Sequence, residues 1–103
     1  MIIELNEENF QKETNHGLKL VEFYATWCMY CKRQRIELQE FESSDIWIGI
    51  VDGDESPNIA RKFNIDGYPT FVLLKDGQEV ARFDGFHDKS KLLNRLMAYM
   101  YKD

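Results

Sequence analysis

The chain has 103 residues, of which 44% are hydrophobic, 14% are aromatic and 30% are charged. This composition is typical of a single globular domain, here residues 1–103, and excludes a disordered tail, a collagen-like repeat and a coiled coil. The formal net charge of -5 opposes close approach to a phosphate backbone or an anionic membrane. We therefore expect neither nucleic acid nor a membrane among its partners.

The first residues show no basic stretch followed by an apolar run, and no apolar segment approaches the ~20 residues needed to cross a bilayer. The chain as given therefore predicts a cytoplasmic protein. Its two cysteines, Cys28 and Cys31, are too few for the disulfide framework of a small secreted domain. We expect their role to be chemical.

The first part of the chain alternates apolar runs with helix-forming segments. Apolar runs that suit strands lie at residues 2–5, 18–25 and 47–51. Asn6 is the expected N-cap of a short helix that ends near residues 16–17, and a second helix is expected to open at the cysteines. Ser56 before Pro57 predicts a third helix. Such an order implies parallel strands joined by right-handed crossovers.

The last third of the chain predicts a hairpin and a helix. Asp76-Gly77 lies between the apolar runs 70–74 and 80–83, which is a strong hairpin signal. After Asp88, apolar residues recur at intervals of three and four, as in an amphipathic helix. The predicted fold class is therefore α/β, with a mixed central sheet, helices on both faces and the order β-α-β-α-β-α-β-β-α.

The segment Cys28-Met29-Tyr30-Cys31 lies between an apolar strand and the start of a helix. A helix N-terminus presents unpaired N–H groups and a partial positive charge, which favour a thiolate by ~0.3 to 2 kcal/mol. Two intervening residues bring the second sulfur within bonding reach of the first. The spacing thus predicts a redox pair in which Cys28 attacks a disulfide and Cys31 resolves the mixed disulfide.

Two other uses of this spacing fit the chain less well. A structural disulfide that closes so few residues constrains the unfolded chain little, and cytosolic thiols stay reduced. A structural zinc site needs four ligands, and only His16 and His87 remain, neither at the spacing of a zinc finger. We expect no metal and no cofactor.

Residues 21–32, Val-Glu-Phe-Tyr-Ala-Thr-Trp-Cys-Met-Tyr-Cys-Lys, resemble the active-site segment of the thioredoxin superfamily and are close to the thioredoxin-like domains of protein disulfide isomerases. Residues 67–70, Gly-Tyr-Pro-Thr, are similar to the cis-proline segment of that family, and residues 75–77 and Gly85 resemble its hairpin turn and late glycine. The resemblance covers essentially the whole chain. It implies the thioredoxin fold and a protein-disulfide oxidoreductase.

The same resemblance implies roles for individual residues. Cys28 is expected to be an exposed nucleophile and Cys31 a buried resolving thiol. Glu22 matches a buried carboxylate that accepts the proton of Cys31. A further set is expected to pack beside the cysteines or contact substrate, with a cis peptide bond before the proline: Trp27, Met29, Tyr30, Tyr68 and Pro69.

Plainer interpretations stay open at several positions. Glu22 is alternatively a charge that reaches solvent, and Pro69 an ordinary proline at the start of a strand. Four apolar side chains form either a rim for unfolded or disulfide-bearing partners or scattered surface positions, namely Met29, Tyr30, Tyr68 and Phe86. The remaining charged candidates are interpreted as solvated, namely His16, His87, Lys32, Arg33 and Arg35. The alternative for the cluster of Lys32, Arg33 and Arg35 is that it raises the positive potential near Cys28.

The segment also departs from the family pattern. Met29-Tyr30 replaces the Gly-Pro of thioredoxins and the Gly-His of the isomerases. Ile36 stands where thioredoxins usually have a proline, and Ile50 where they often have a lysine. These departures leave the direction of electron flow open.

Together the observations predict a thiol-disulfide oxidoreductase that acts on protein disulfides. We expect a monomeric cytoplasmic reductant that is reloaded by an upstream dithiol reductase and contributes to electron transport and cell redox homeostasis. One alternative is a disulfide oxidase or isomerase, which the reduction potential would distinguish. The other is a thioredoxin-like adaptor that binds proteins without significant turnover.

Overall fold

The computed structural model describes residues 1–101. The expected domain also includes Lys102 and Asp103, which lie outside the described residues. The elements are, in chain order, β1 (Ile2–Leu5), α1 (Phe10–Thr14), β2 (Leu18–Tyr24), α2 (Met29–Gln39), β3 (Ile48–Asp52), α3 (Pro57–Lys62), β4 (Thr70–Lys75), β5 (Gln78–Asp84) and α4 (Lys89–Met100). This order is the one that the sequence predicted.

The five strands form one sheet in the order β1-β3-β2-β4-β5. Strand β3 pairs in parallel with both β1 and β2, whereas β4 pairs antiparallel with both β2 and β5. The mixed sheet expected from the sequence is therefore confirmed. Because β2 is the middle strand, its side chains are covered on both faces, as its nearly continuous apolar sequence predicts.

Alternate side chains of β2 enter two separate cores. Leu20 packs with buried residues of α2 and α4 on one face of the sheet. Val21 and Phe23 pack on the other face, against Phe10 of α1 and Phe63 at the end of α3. Since side chains alternate along a strand, Glu22 shares the face of Leu20 and lies toward α2 and α4.

The turn between β4 and β5 has the geometry expected of a hairpin. Asp76 and Gly77 have φ values of 50° and 84°, and two successive left-handed residues suit the right-handed twist of the strands. The turn is also tied to the loop before β2, because the Gly17 N–H donates to Asp76 Oδ1 at 2.8 Å and the Asp76 N–H donates to the Gly17 oxygen at 2.9 Å.

The first helix begins later than the sequence predicted. Asn6 Oδ1 accepts hydrogen bonds from the N–H groups of Glu8 and Asn9, both at 2.9 Å. These bonds close a turn before the helix, so that α1 starts at Phe10 with Asn9 as its N-cap residue. Asn6, which was expected to cap the helix, therefore caps the turn that precedes it.

A substitution at Gly49 tests how closely β1 and β3 pack. A Cβ at this position would lie 2.5 Å from Leu5 Cδ1 and 2.8 Å from the Trp47 ring. We expect Gly49→Ala to lower the free energy of unfolding by about 1–3 kcal/mol through overpacking. Gly67→Ala is the matched control, because a Cβ there meets no atom within 4 Å. Equal denaturant midpoints for the two variants would contradict the close packing.

Candidate active site

Cys28 is the N-cap residue of α2, and its sulfur acts as the capping group. The Cys31 N–H donates a hydrogen bond to Cys28 Sγ over 3.2 Å. Both cysteines are free thiols. The unpaired N–H groups at the helix N-terminus therefore face Cys28 Sγ and favour negative charge on it.

The two cysteines are almost equally buried. Cys28 is 7% exposed and Cys31 is 5% exposed, so the expectation of an exposed Cys28 is wrong. The sulfur lies beneath the segment before β4, where the Cys28 thiol donates to the carbonyl oxygen of Tyr68 over 3.6 Å. The two cysteines consequently differ in their electrostatic surroundings more than in their exposure.

Cys31 lies in surroundings that disfavour its thiolate. Burial raises the pKa of Cys31 to about 12, and the hydrogen bond with Cys28 and the charge of Glu22 raise it as well. Cys31 is therefore a thiol at neutral pH, and it needs a base before it can attack a disulfide.

Glu22 is a buried carboxyl on the central strand. It is 0% exposed, and neither carboxyl oxygen accepts a hydrogen bond from a described residue. Burial raises the pKa of Glu22 from its ordinary value of 4.5 to about 8, while the charge of Arg35 lowers it. The interpretation of Glu22 as a solvated charge is thus wrong, and its pKa suits a group that exchanges protons near neutral pH.

Tyr68, directly before Pro69, packs against the cysteine pair. The Tyr68–Pro69 peptide bond is cis, and the Gly85 N–H donates to the Pro69 oxygen at 2.9 Å. A Cβ on Gly53 would collide with the Tyr68 hydroxyl, so Gly53 permits the close approach of the ring. Pro69 itself is buried at the start of β4.

Trp27 is held beside Tyr68 by a residue that the sequence analysis did not identify. The Trp27 Nε1–H donates to Asp54 Oδ2 at 2.9 Å, and the Trp27 and Tyr68 rings meet edge to face with centroids 5.9 Å apart. Trp27 follows β2 and Asp54 follows β3. Because these strands are parallel, their carboxyl ends meet at one edge of the sheet. The sequence Asp52-Gly53-Asp54 directly after an apolar run could have indicated that Asp54 lies at this edge.

Three large side chains next to the cysteines are exposed, and we call them the apolar rim: Trp27, Met29 and Tyr30. Their exposed fractions are 67%, 69% and 59%, respectively. The Arg33 guanidinium lies over the Tyr30 ring and over the Phe86 ring, at 5.9 and 5.1 Å. Phe86 is half-buried, and because Arg33 lies over both its ring and that of Tyr30, the exposed part of Phe86 extends this surface. Exposed apolar side chains grouped at a reactive site are typical of a surface that binds protein.

The loop before α4 is fixed to α2 by Gln34, a residue that was not predicted from the sequence. Gln34 is fully buried, its Nε2 donates to the His87 oxygen at 2.8 Å, and its Oε1 accepts from the His87 N–H at 2.8 Å. The ring of His87 packs against Phe71 and Phe83. The interpretation of His87 as solvated is therefore wrong.

Arg35, also expected to be solvated, is half-buried. It lines a cavity of about 320 Å³ together with Tyr24, Cys31 and neighbouring residues. Its Nε atom is buried and has no described hydrogen-bond partner. The guanidinium lies over the Tyr24 ring, with its carbon 4.8 Å from the centroid.

Of the residues that the structure describes, no three His, Cys, Asp or Glu side chains are grouped so as to hold a metal ion. Across residues 1–101, none of the helices has the length and apolar character needed to cross a bilayer.

The chain is similar to thioredoxins over most of its length. The family model described as Thioredoxin matches residues 1–98. Thioredoxin of Chlamydia caviae is 38% identical over 95 residues, which make up 90% of this chain and 93% of that protein. Thioredoxin of Staphylococcus haemolyticus is 36% identical over 96 residues, or 88% and 90% of the two chains. The probable protein disulfide-isomerase A6 of Medicago sativa is 37% identical over 91 residues, 82% of this chain and 25% of that protein.

Because the Glu22 carboxyl is buried, we expect the free energy of unfolding to depend on pH. Between pH 4.5 and about 8, the folded protein keeps on Glu22 a proton that the unfolded chain has lost. The free energy of unfolding should therefore fall as pH rises through this range, by at most about 1.4 kcal/mol per pH unit. Glu22→Gln, which stays neutral, should lose this part of the slope and be more stable than the wild type at pH 8.

Denaturant unfolding at several pH values measures this effect. Glu8→Gln is the control, because Glu8 is exposed and its substitution should leave the slope unchanged. An identical slope in Glu22→Gln and the wild type would show that Glu22 is not the titrating group.

Proposed function

The chain belongs to the thioredoxin family, and we propose that it works as a reductant of protein disulfides in the cytoplasm. Members of this family are protein-disulfide oxidoreductases, and the Cys28-x-x-Cys31 pair supplies that chemistry. The observation that carries the proposal is the position of Cys28 Sγ at the N-terminus of α2, 3.2 Å from the Cys31 backbone nitrogen. That position activates one thiol and keeps the second within reach.

In the first step, the Cys28 thiolate attacks one sulfur of a substrate disulfide. A bond forms between Cys28 and that sulfur, the substrate disulfide breaks, and the released substrate thiolate takes up a proton. The N–H groups at the start of α2 stabilise the attacking thiolate. Because the Tyr68 carbonyl lies 3.6 Å from Cys28 Sγ, the substrate approaches beside this backbone segment.

In the second step, Cys31 gives its proton to Glu22 in those molecules whose carboxyl is ionised, a fraction that grows as pH approaches 8, and attacks Cys28 Sγ. The Cys28–Cys31 disulfide forms, the mixed disulfide breaks, and the second substrate thiolate leaves and is protonated. Two electrons have passed to the substrate. Glu22 suits this role because its pKa of about 8 makes it a stronger base than an ordinary carboxylate, while the Cys31 thiol has a pKa of about 12.

Substrate binding is assigned to the apolar rim and to the backbone before Pro69. Trp27, Met29 and Tyr30 offer apolar contacts, and Tyr68 offers backbone groups with which an extended segment can pair. An upstream dithiol reductase then returns the Cys28–Cys31 disulfide to two thiols. We expect the protein to act as a monomer and to contribute to electron transport and cell redox homeostasis.

The residues between the cysteines support the reducing direction. Met29 and Tyr30 carry no positive charge, so the helix N-terminus provides the main stabilisation of the Cys28 thiolate. A less stabilised thiolate makes the reduced form less favourable, and the disulfide is then a weaker oxidant.

Replacement of Cys31 by serine should stop the reaction at its intermediate. We expect Cys31→Ser to accumulate mixed disulfides with partner proteins through Cys28, because no thiol remains to resolve them. Partners are captured from a lysate after an alkylating quench and released by reductant. Cys28→Ser is the matched control and should capture none. Equal capture by the two variants would contradict the assigned order of attack.

The reduction potential decides the direction of electron flow. We expect the reduction potential of the Cys28–Cys31 pair to lie closer to that of thioredoxin, about -270 mV, than to that of a strong disulfide oxidase, about -120 mV. Equilibration with glutathione, followed by mass spectrometry of alkylated protein, gives this value. Insulin reduction tests turnover in parallel. A potential near that of the oxidase would contradict a reductant, and absence of cysteine-dependent turnover would favour an adaptor.

A further inference from the structure

Arg35 lies one helical turn beyond Cys31 on α2. Residues four apart share one face of a helix, and both side chains line the cavity of about 320 Å³ at the end of β2. Tyr24, on the same face of β2 as Glu22, forms the opposite wall and stacks under the guanidinium at 4.8 Å. Arg35 is thus beside the resolving thiol, on the side of the sheet that holds the buried carboxyl.

Arg35 is half-buried, and its side chain is hydrogen-bonded to Tyr24. Its Nε atom is buried and lacks a hydrogen-bond partner among the described residues. A buried donor without a partner costs stability, so its position next to the resolving thiol calls for an explanation.

The strands on either side of Glu22 place no positive charge at its register positions, whereas α4, which packs on the same face, carries Lys89, Lys91 and Arg95. Its register partners are Ile50 on β3 and Phe71 on β4, both apolar. The titratable groups on the same side are Cys31 and Arg35 of α2 and Tyr24 of β2, with Lys32 at the cavity wall. Asp52 and Glu4, which act on Tyr24, are acidic. Arg35 is the cation whose charge lowers the pKa of Glu22 against the effect of burial.

We propose that Arg35 is a positioning residue for the resolving step. Its positive charge stabilises the negative charge of the site while the proton passes from Cys31 to Glu22. The proposal rests on the proposed function. Before the transfer the negative charge is on the Glu22 carboxylate, and after it the charge is on Cys31 Sγ, with one proton moved and no charge gained or lost. The Arg35 charge already acts on Glu22, and its side chain shares a cavity with Cys31. A guanidinium so placed favours negative charge at the site before and after the transfer, which assists the attack of Cys31 on Cys28 Sγ at neutral pH.

Ellman's reagent separates the two halves of the reaction. Attack of Cys28 on this aromatic disulfide releases a first thionitrobenzoate and leaves a second one bound to Cys28. Attack of Cys31 then releases the second equivalent and forms the Cys28–Cys31 disulfide. Stopped-flow absorbance of the reduced protein therefore reports the attack of Cys28 in the first phase and its resolution by Cys31 in the second.

The decisive variant is Arg35→Met, which removes the charge and keeps an unbranched side chain. We expect an unchanged first phase, whereas the pH midpoint of the second phase should rise by about one unit, which slows that phase about tenfold at neutral pH. Arg35→Lys should restore most of the rate, because the positive charge is kept. Arg35→Gln is the substitute variant if methionine prevents folding.

Arg95→Met is the matched control. Arg95 lies over the Phe83 ring at 5.1 Å on α4, so this variant loses the same charge and the same kind of stacking contact. It should leave both phases unchanged. An unshifted second phase in Arg35→Met, or a shift that Arg35→Lys fails to reverse, would overturn the proposal.

Failure of the proposed function gives a different result. If the second phase persists in Cys31→Ser, Cys31 does not resolve the adduct and the assigned mechanism is wrong. If the second phase requires Cys31 but ignores Arg35, the mechanism stands and only the role of Arg35 is refuted.

Discussion

The hydrogen bond between the Cys31 N–H and Cys28 Sγ fixes the position on which the site depends. In most helices an oxygen of serine, threonine, aspartate or asparagine satisfies the first N–H groups. Here the reactive sulfur does so at 3.2 Å. The group that caps α2 is therefore also the group that α2 polarises. The fold holds this helix end in place through Gln34, which joins the helix to the loop at His87.

The central position of β2 accounts for the second part of the site. Burial of Glu22 in the sheet without a hydrogen-bond partner is unfavourable for its charged form, and it raises the pKa to about 8. An exposed glutamate would be too weak a base to take a proton from a thiol with a pKa of about 12. Burial of Glu22 thus has two effects: it destabilises the charged carboxylate, and it makes the carboxylate the stronger base that its proposed use as a proton acceptor requires.

Local patterns in the sequence were sufficient to predict the order of strands and helices, because apolar periodicity and the Asp76-Gly77 turn depend on near neighbours. They failed where distant segments meet. The burial of Cys28 depends on Tyr68, forty residues further along the chain. The burial of His87 depends on Gln34 in another element. A charged residue such as Arg35 looks solvated in a sequence, since only the packed structure shows which face of its helix is covered.

Because the two cysteines are almost equally buried, a difference in solvent exposure does not explain their different proposed roles. The difference in their electrostatic surroundings does. Cys28 lies at the positive end of α2, whereas Cys31 lies within the helix, where burial and the charge of Glu22 raise its pKa. A substrate sulfur must still reach Cys28 beside the Tyr68 carbonyl and next to exposed Trp27. The proposed binding along this edge would therefore select partners whose disulfide lies in an extended, accessible segment, because such a segment can follow the backbone before Pro69.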